Sequence, residues 1–522
     1  MTRAVIAALL RFQVVCADLG VPGNRIRIIA TEATRTAINS AEYCKAIKDA
    51  TGMTVEMLPK EQEGRVGALG IASSFSDVNG LVMDLGGGSM QITWMVAREG
   101  NLEISPKGSY SFPYGAAALT RTLDELKAGK SKDDAKKATD QFREEMIANF
   151  RDAYHGLEIP EDLVEDAKSQ GGFPLYLSGG GFRGWGYLLL YQNQVHGRHY
   201  PISIINGLRV GKESFEDTET LKEVARSANR IFRVSDRRRA QAPAVAFLVN
   251  VLTEALPHGI RDVRFCQGGV REGVLFQELP PSIRREDPLE VATSLYARPS
   301  AWLMGELLAA SIPPTSEDEA RSFPPSISRH VINSLANVLF VHSDMAKESA
   351  SATALYSTST GILASSHGVS HIDRALLALM FEERFDGELP PREMDFKTTL
   401  RQLLTLEQIW WTRYLGKVAM LIARMYPAGI IMEDKPRVKI SAKWAVGLGK
   451  QGNKDGLMLR FAISKRDSDT FLLKETMDEF VEVIEKVGKR KNWIGGKEGW
   501  GMKVKIKVAE EDWGDDGWTL TS

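Results

Sequence analysis

Apolar residues recur along the chain at two periods, and the alternation between them lays out the elements. Helical spacing runs from Thr2 to Leu19 and is closed by Gly20 and Pro22. The β-branched run Ile26–Ala30 predicts a strand. Asn39, with Glu42 three residues on, predicts a capped helix that Gly52 ends. Val55–Leu58 reads as a second strand, and Glu63–Ser73 as a helix turning Val66, Leu69 and Gly70 inward. An apolar run from Leu81 to Met83 leads into Asp84, then Gly86, Gly87, Gly88 and Ser89; Gln91 to Ala97 alternates again. Strand, glycine turn, strand is the reading. Further on, Leu119 to Ala167 is charged and helical, and Leu175–Leu177 is a strand entering a second glycine loop at Gly179–Gly181. Residues 218–256 read as helices interrupted by Arg237, Arg238 and Arg239; Val263–Phe265 is a strand followed by a third glycine turn at Gly268 and Gly269. Strands alternating with helices predict an α/β sheet.

The pattern changes after ELPPSIRREDP at 278–288, a proline- and charge-rich stretch that marks a domain boundary. A mostly helical region follows to about residue 433. Then come strands at Val438–Val446 and Leu457–Ile463, a helix at Leu472–Val487 and a strand at Met502–Val508, a small α+β unit. With 522 residues the chain has room for several domains, and 43% hydrophobic with 25% charged residues is ordinary for a globular protein. Two stretches bear on membranes. Ala4–Leu10 is short and broken by Arg11 and Gln13, which argues against a cleaved leader. Trp410–Met432 carries Arg413, Lys417 and Arg424, so a buried helix is expected there and not a span. A net charge of −1 gives no case for nucleic acid. Three scattered cysteines, Cys16, Cys44 and Cys266, form neither a disulfide framework nor a zinc signature, which fits a reducing, cytoplasmic setting.

The chemistry concentrates at residues 81–97. Three consecutive glycines leave backbone N–H groups uncovered, so a phosphate can approach closely. Asp84 ends the first strand, a place from which a carboxylate holds Mg²⁺ or a metal-bound water. The spacing is neither GxxxxGK[ST] nor GxGxxG before a helix, so P-loop and Rossmann sites are excluded. Taken alone, the stretch is also compatible with an ordinary loop and an aspartate that caps a turn.

ATEATRTAIN at 30–39, EGR at 63–65, MDLGGGS at 83–89, SGGG at 178–181 and GGVREGVL at 268–275 follow one another in order. This set resembles the Ppx/GppA family of exopolyphosphatases and pppGpp phosphohydrolases in the actin-like ATPase superfamily, and ATEATRTAIN is most similar to its fungal retrograde-regulation branch. The resemblance implies an actin-like fold of two ribonuclease-H-like halves. Residues 1–66 are then a partial first half, 67–280 the second, 281–434 an HD-like helical domain and 435–522 the C-terminal α+β domain. It also implies roles. Glu63 matches the catalytic glutamate that activates water. Asp84 matches the aspartate associated with Mg²⁺, and Gly86, Gly87, Gly88 and Ser89 match the phosphate-binding hairpin. Arg35 matches an arginine near the phosphate channel, and Gly179, Gly180 and Gly181 the second-half glycine loop. Phosphoryl transfer needs in-line water, positioned oxygens and charge neutralisation, and these groups supply them. Without the resemblance, Glu63 reads as a first-turn carboxylate complementing a helix dipole, Arg35 as a partner of Glu32 or Glu42, and Arg237–Arg239 as a solvated face.

Four departures are visible. The family's opening strand and DxGSNS-like loop have no counterpart, so the first half is expected to lack its opening meander. Gln91 stands where the hairpin carries glutamate, and Phe182 where the second loop carries threonine. In the helical region Leu355 and Tyr356 occupy the place of metal-binding histidines; His342 is the third histidine there, and His367 and His371 are expected in turns or at the surface, so no metal is expected. The resulting expectation is a regulatory protein binding a nucleotide or polyphosphate-like ligand, with protein partners and room for a homodimer. The alternative is an active Mg²⁺-dependent exopolyphosphatase or pentaphosphate hydrolase using Glu63.

Overall fold

The structure is a computed structural model, describing residues 2–75, 77–98, 101–195, 200–314, 323–433, 436–449, 451–464 and 471–511. The chain divides into two compact units, Met1–Gly197 with Ile205–Arg285, and Arg198–Ile204 with Glu286–Ser522.

The first unit opens with α1 (Thr2–Asp18), β1 (Ile28–Ala30), α2 (Glu32–Arg35), α3 (Ser40–Thr51), β2 (Val55–Met57) and α4 (Lys60–Ala72). β1 and β2 pair in parallel. Gly52, at φ +74°, closes α3 as its sequence position predicts, because only glycine takes that conformation freely. Asn39 precedes α3, but its side chain caps nothing: its backbone, at φ −100° and ψ 25°, is not extended as a capping residue's is.

The main sheet follows. It is built from β3 (Val78–Leu85), β4 (Met90–Arg98), β5 (Asn101–Ile104), β6 (Tyr110–Phe112), β7 (Phe173–Ser178), β8 (Arg209–Gly211) and β9 (Ile260–Phe265). The order is β5-β4-β3-β7-β9-β8, with β6 beside β4. β3, β7 and β9 are parallel, whereas β4 runs antiparallel to β3 and β8 to β9. The three helices α5 (Ala116–Lys127), α6 (Lys132–Gly156) and α7 (Glu161–Gln170) occupy the charged stretch read as helical. Next come α8 (Gly179–Val195), α9 (Lys212–Glu216), α10 (Thr218–Ser227), α11 (Asp236–Ala240), α12 (Ala242–Ala255), α13 (Val270–Glu278) and α14 (Pro281–Arg284). Leu81, Met83 and Leu85 are wholly buried, and Val82 nearly so, as expected of a central strand covered on both faces. Two readings change. Gly179–Gly181 form the first turn of α8 and not a loop. The arginine run does not break the helices but makes one, α11, because Ser235 caps it by accepting from the Arg238 N–H.

The second unit carries α15 (Pro288–Ser294), α16 (Ala301–Ala310), α17 (Arg329–Val338), α18 (Lys347–Tyr356), α19 (His371–Glu383), α20 (Pro391–Arg401) and α21 (Leu406–Met425). A three-stranded sheet follows, with β10 (Val438–Leu448) antiparallel to β11 (Lys454–Ser464) and β11 parallel to β12 (Lys503–Glu511); α22 (Phe471–Val487) links β11 to β12. Its core centres on Trp410, Trp411 and Tyr414 of α21. His367 is exposed in a turn, but His371 is buried, contrary to the sequence reading. Ser370 caps α19, which sets His371 in the first turn, where its ring lies 2.6 Å from the Tyr200 hydroxyl and 2.9 Å from the Ile204 carbonyl oxygen.

Candidate functional site

The glycine turn between β3 and β4 is held from below. The Ala116 N–H donates to the Gly86 carbonyl at 2.9 Å, and the Ala117 and Ala118 N–H groups to the Gly87 carbonyl at 3.0 Å. The start of α5 thus satisfies its own orphan donors with the loop's carbonyls. Gly86 N–H closes the turn onto the Ser89 carbonyl. Among the described residues, the N–H groups of Gly87, Gly88 and Ser89 donate to no backbone oxygen. A side chain at Gly87 or Gly88 would meet only open space, so an anion above the loop would find several donors and no obstruction. Gly115 is required by contact: a Cβ there would lie 2.4 Å from the Gly88 carbonyl carbon and the Ser89 nitrogen.

Asp84 lies beside this turn, directly across the ladder from Gln91 on β4 and from Ser178 on β7. The Gln91 amide donates to the Ser89 hydroxyl at 2.9 Å, so the neutral residue at this position is tied to the hairpin. Gly179, at φ +88°, opens α8 against the end of β3; a Cβ there would sit 2.4 Å from Asp84 Oδ1 and from the Leu85 carbonyl oxygen. The aspartate side chain therefore lies against glycine backbone on both sides and keeps partial exposure. Burial pushes its carboxyl up to about 6, against the opposing charge of Arg183 and with a further push from Glu63.

Glu63 stands in the first turn of α4. Its carboxylate accepts from the Glu32 N–H and from the Arg35 guanidinium, both at 3.0 Å. Arg35 also pairs with Glu32 and donates to the Leu58 carbonyl. The pairing with Glu32 read from sequence thus occurs, and Arg35 reaches Glu63 as well. α4 carries glycine at every third position, and two of the three, Gly64 and Gly70, are required by close approach, while a Cβ on Gly67 would make ordinary contact. A Cβ on Gly64 would strike Ser109, one on Gly67 would come within 3.7 Å of Asp84 Oδ2, and one on Gly70 would fall 2.1 Å from the Gly269 carbonyl oxygen. Gly273 returns the contact, since its Cβ would lie 1.8 Å from the Val66 carbonyl oxygen. The glycines of GGVREGVL therefore serve backbone-to-backbone packing of α13 on α4. Ser178 ties the segments together by donating to the Gly268 carbonyl at 2.6 Å, while the Gly268 N–H donates to Ser74.

The structure gathers Asp84, Gly86–Ser89 and Gly179–Gly181 in one place and brings Glu63 into electrostatic range of Asp84, with Arg35 bound to Glu63. Sequence reasoning missed Arg183. It stands one helical turn after Gly179, and that spacing was the available signal. It also missed the supporting Gly115. Among the described residues no group of three or more His, Cys, Asp or Glu side chains is arranged to hold a metal, and no helix is long and apolar enough to cross a membrane.

A mixed α/β domain with a glycine hairpin beside a buried aspartate, supported by a carboxylate-bearing helix, is the class that the first unit defines. The family model of the Ppx/GppA phosphatase family matches residues 1–282, and that of the RTG2 C-terminal domain matches 287–511. The chain belongs to the Ppx/GppA phosphatase family. It is 35% identical to retrograde regulation protein 2 of Saccharomyces cerevisiae, across 98% of this chain and 81% of that one. A guanosine-5'-triphosphate,3'-diphosphate pyrophosphatase of Photobacterium profundum is 40% identical over 74 residues, 14% of this chain and 15% of that one. Among solved structures, an Aquifex aeolicus Ppx/GppA family member covers 53% of this chain and 80% of its own at 21% identity and a TM-score of 0.37. A Cytophaga hutchinsonii exopolyphosphatase covers 54% and 83% at 17% identity and a TM-score of 0.38.

Proposed function

We propose that this protein is a regulator of the retrograde or metabolic signalling type that binds a phosphorylated ligand through the β3–β4 hairpin and reports its presence to partner proteins. The observation that carries the binding is the hairpin itself: the Gly86 and Gly87 carbonyls are spent on α5, whereas among the described residues the N–H groups of Gly87, Gly88 and Ser89 meet no backbone oxygen. The regulatory character draws support from Gln91, which lacks the charge a carboxylate would give a metal or a proton, and from the likeness to a protein named for retrograde regulation. In this reading residues 1–66 and 67–280 are the two ribonuclease-H-like halves of an actin-like domain, 281–434 an HD-like helical domain and 435–522 the C-terminal α+β domain. The setting is a reducing, cytoplasmic one, in keeping with three unpaired cysteines.

The donor set suits Mg²⁺ modestly. Asp84 is a partly buried carboxylate that gains from a divalent cation, and Mg²⁺ takes one or two carboxylates together with phosphate oxygens and water. Glu63 is engaged by Arg35 and the Glu32 N–H through one oxygen, and among the described residues its second oxygen has no partner. That free oxygen is the observation favouring a second reading, slow hydrolysis of a terminal phosphate with Glu63 accepting the proton. Calorimetry with inorganic tripolyphosphate and Mg²⁺ tests the binding. Phosphate release from long-chain polyphosphate and pppGpp tests the alternative. Binding with little release is expected; robust release that disappears in Glu63→Gln would overturn the regulatory reading.

A further inference from the structure

The two faces of the β10–β11–β12 sheet in the second unit differ sharply in charge. Side chains alternate along a strand, so residues two apart share a face. Ile440, Leu457, Leu459, Phe461, Val504 and Ile506 belong to the core on one side. The register places Lys439 and Lys443 of β10, Arg460 of β11, and Lys503, Lys505 and Lys507 of β12 together on the other. Arg460 stands between Ser441 and Lys507, and Met458 between Lys443 and Lys505. Ser441, Lys443, Arg460, Lys505 and Lys507 are exposed. The chain as a whole has a net charge of −1, so this concentration of positive charge is local.

Few carboxylates answer it. Arg460 pairs with Glu511 at the end of β12, and Lys505 lies 3.2 Å from Glu485 on α22. Glu485 also accepts from the Ile506 N–H at 3.0 Å, so its charge is shared with the strand edge. Lys443, Lys503 and Lys507 form no ion pair among the described residues. Neighbouring strands lie about 4.8 Å apart, so Arg460 and Lys507, partners in register, repel one another until an anion lies over them.

The chemistry of the face narrows what that anion is. No position named on it is aromatic; Trp444 belongs to the opposite face, where it donates to the Pro314 carbonyl at 2.9 Å. Single-stranded nucleic acid is held on a sheet by stacking its bases on aromatic rings. A membrane surface calls for apolar side chains that enter the lipid beside the basic ones, and Met458 is half-buried. An acidic polypeptide needs neither. In extended form it presents every second side chain at intervals of about 7 Å, the interval that separates Lys503, Lys505 and Lys507. Lysines meet such a chain as point charges on flexible stems, with no fixed fork to match.

We propose that the open face of β10, β11 and β12 docks an acidic, extended segment of a partner protein. The proposal rests on the regulatory reading only for the existence of a partner; its test uses no phosphorylated ligand, so its failure leaves binding at the hairpin untouched. Fluorescence anisotropy of the full chain with a labelled peptide of alternating Glu and Ser is the measurement. The peptide is expected to bind at low salt and to weaken as salt rises. Lys443→Glu combined with Lys507→Glu should weaken it about tenfold or more, because like charges then face each other. Changing the same two residues to Gln should weaken it less, and changing both to Arg should retain it. Lys136→Glu with Lys137→Glu makes the same charge change at exposed positions on α6 and should leave binding within about twofold. If the peptide does not bind, or if the two pairs of Glu substitutions weaken it equally, the proposal fails. If oligothymidylate or phosphatidylserine vesicles bind more tightly than the peptide, and lose that binding in Lys443→Glu with Lys507→Glu, the face belongs to nucleic acid or membrane and the assignment is overturned. A chain ending at Glu511 that binds the peptide more than about tenfold tighter would assign the face to the chain's own acidic end, Asp512 to Asp516, and would overturn it as well.

Discussion

At the scale of single residues, Asp84 shows a functional group held at a cost. Its carboxyl, ordinarily near 3.8, is pushed up to about 6 by burial. That displacement corresponds to about 3 kcal/mol disfavouring the charged form, less whatever its partial exposure recovers. The fold therefore binds a proton at Asp84 more tightly than the unfolded chain does. Stability from this group falls as pH rises from about 4 to about 6 and stays low above that. Asp84→Asn should raise the denaturation midpoint at pH 7.5, flatten that pH dependence and weaken Mg²⁺-dependent ligand binding. Chemical denaturation across pH 4–8 decides it, and an unchanged slope in the variant would sink the assignment. Glu63 predicts the opposite balance. Glu63→Gln keeps hydrogen-bonding capacity toward Arg35 but cannot accept a proton, so ligand binding should survive while any phosphate release drops by ~10²–10⁴-fold in a radiometric assay.

At the scale of elements, glycine decides how closely segments approach. Gly115 lets α5 press its first N–H groups into the hairpin, and Gly273 lets α13 lie on α4 backbone to backbone. In both places the neighbour is main chain and cannot swing aside. Gly273→Ala should therefore cost about 1–3 kcal/mol or more in urea unfolding, and should impair ligand binding by shifting the helix that carries Glu63. Normal stability in that variant would show that α13 can slide without penalty. These contacts mark where the sequence was readable. Leu81–Met83, Asp84 and the alternation from Gln91 announced the hairpin because strand period and turn chemistry agreed there. β5, β6 and β8 were not foreseen: three or four residues offer few alternations, and these strands lack the β-branched run that made the equally short β1 legible. Gly179–Gly181 looked like a loop because glycine disfavours helices; tertiary contact with Leu85 and Asp84 overrides that propensity. His371 looked superficial because its burial comes from Tyr200 and Ile204, far away in sequence.

At the scale of the whole molecule, the two units rely on different physics. The candidate site in the first depends on glycine contacts and uncommitted N–H groups. The second unit buries a network of charge. Glu383 on α19 is bonded by Lys397 at 2.8 Å and faces Lys417 at 3.1 Å, with Arg401 and Arg413 within 3.8 Å. Glu383, Lys397, Arg401 and Arg413 line a cleft of about 590 Å³ together with Glu382 and Asp386. Burial works against ionising Glu383, but Lys397, Lys417 and Arg413 outweigh it and hold the carboxyl far below the usual range. Its stabilising contribution is therefore present above the pH at which an unfolded glutamate titrates and is lost as pH falls below it. Removing the charge leaves Lys397 with Glu382 and Lys417 with Asp386 but takes away the carboxylate that both share, and breaking such a network by one partner typically costs about 3–5 kcal/mol. Glu383→Gln should lower one transition in differential scanning calorimetry, that of the second unit. Tripolyphosphate should raise the other, because a ligand that binds only the folded first unit stabilises it by mass action. The two perturbations are expected to act on separate transitions in a single sample of the doubly treated protein. A single transition that moves with both would show that the ligand site and the buried charge network belong to one cooperative unit, and that outcome would refute the division drawn here.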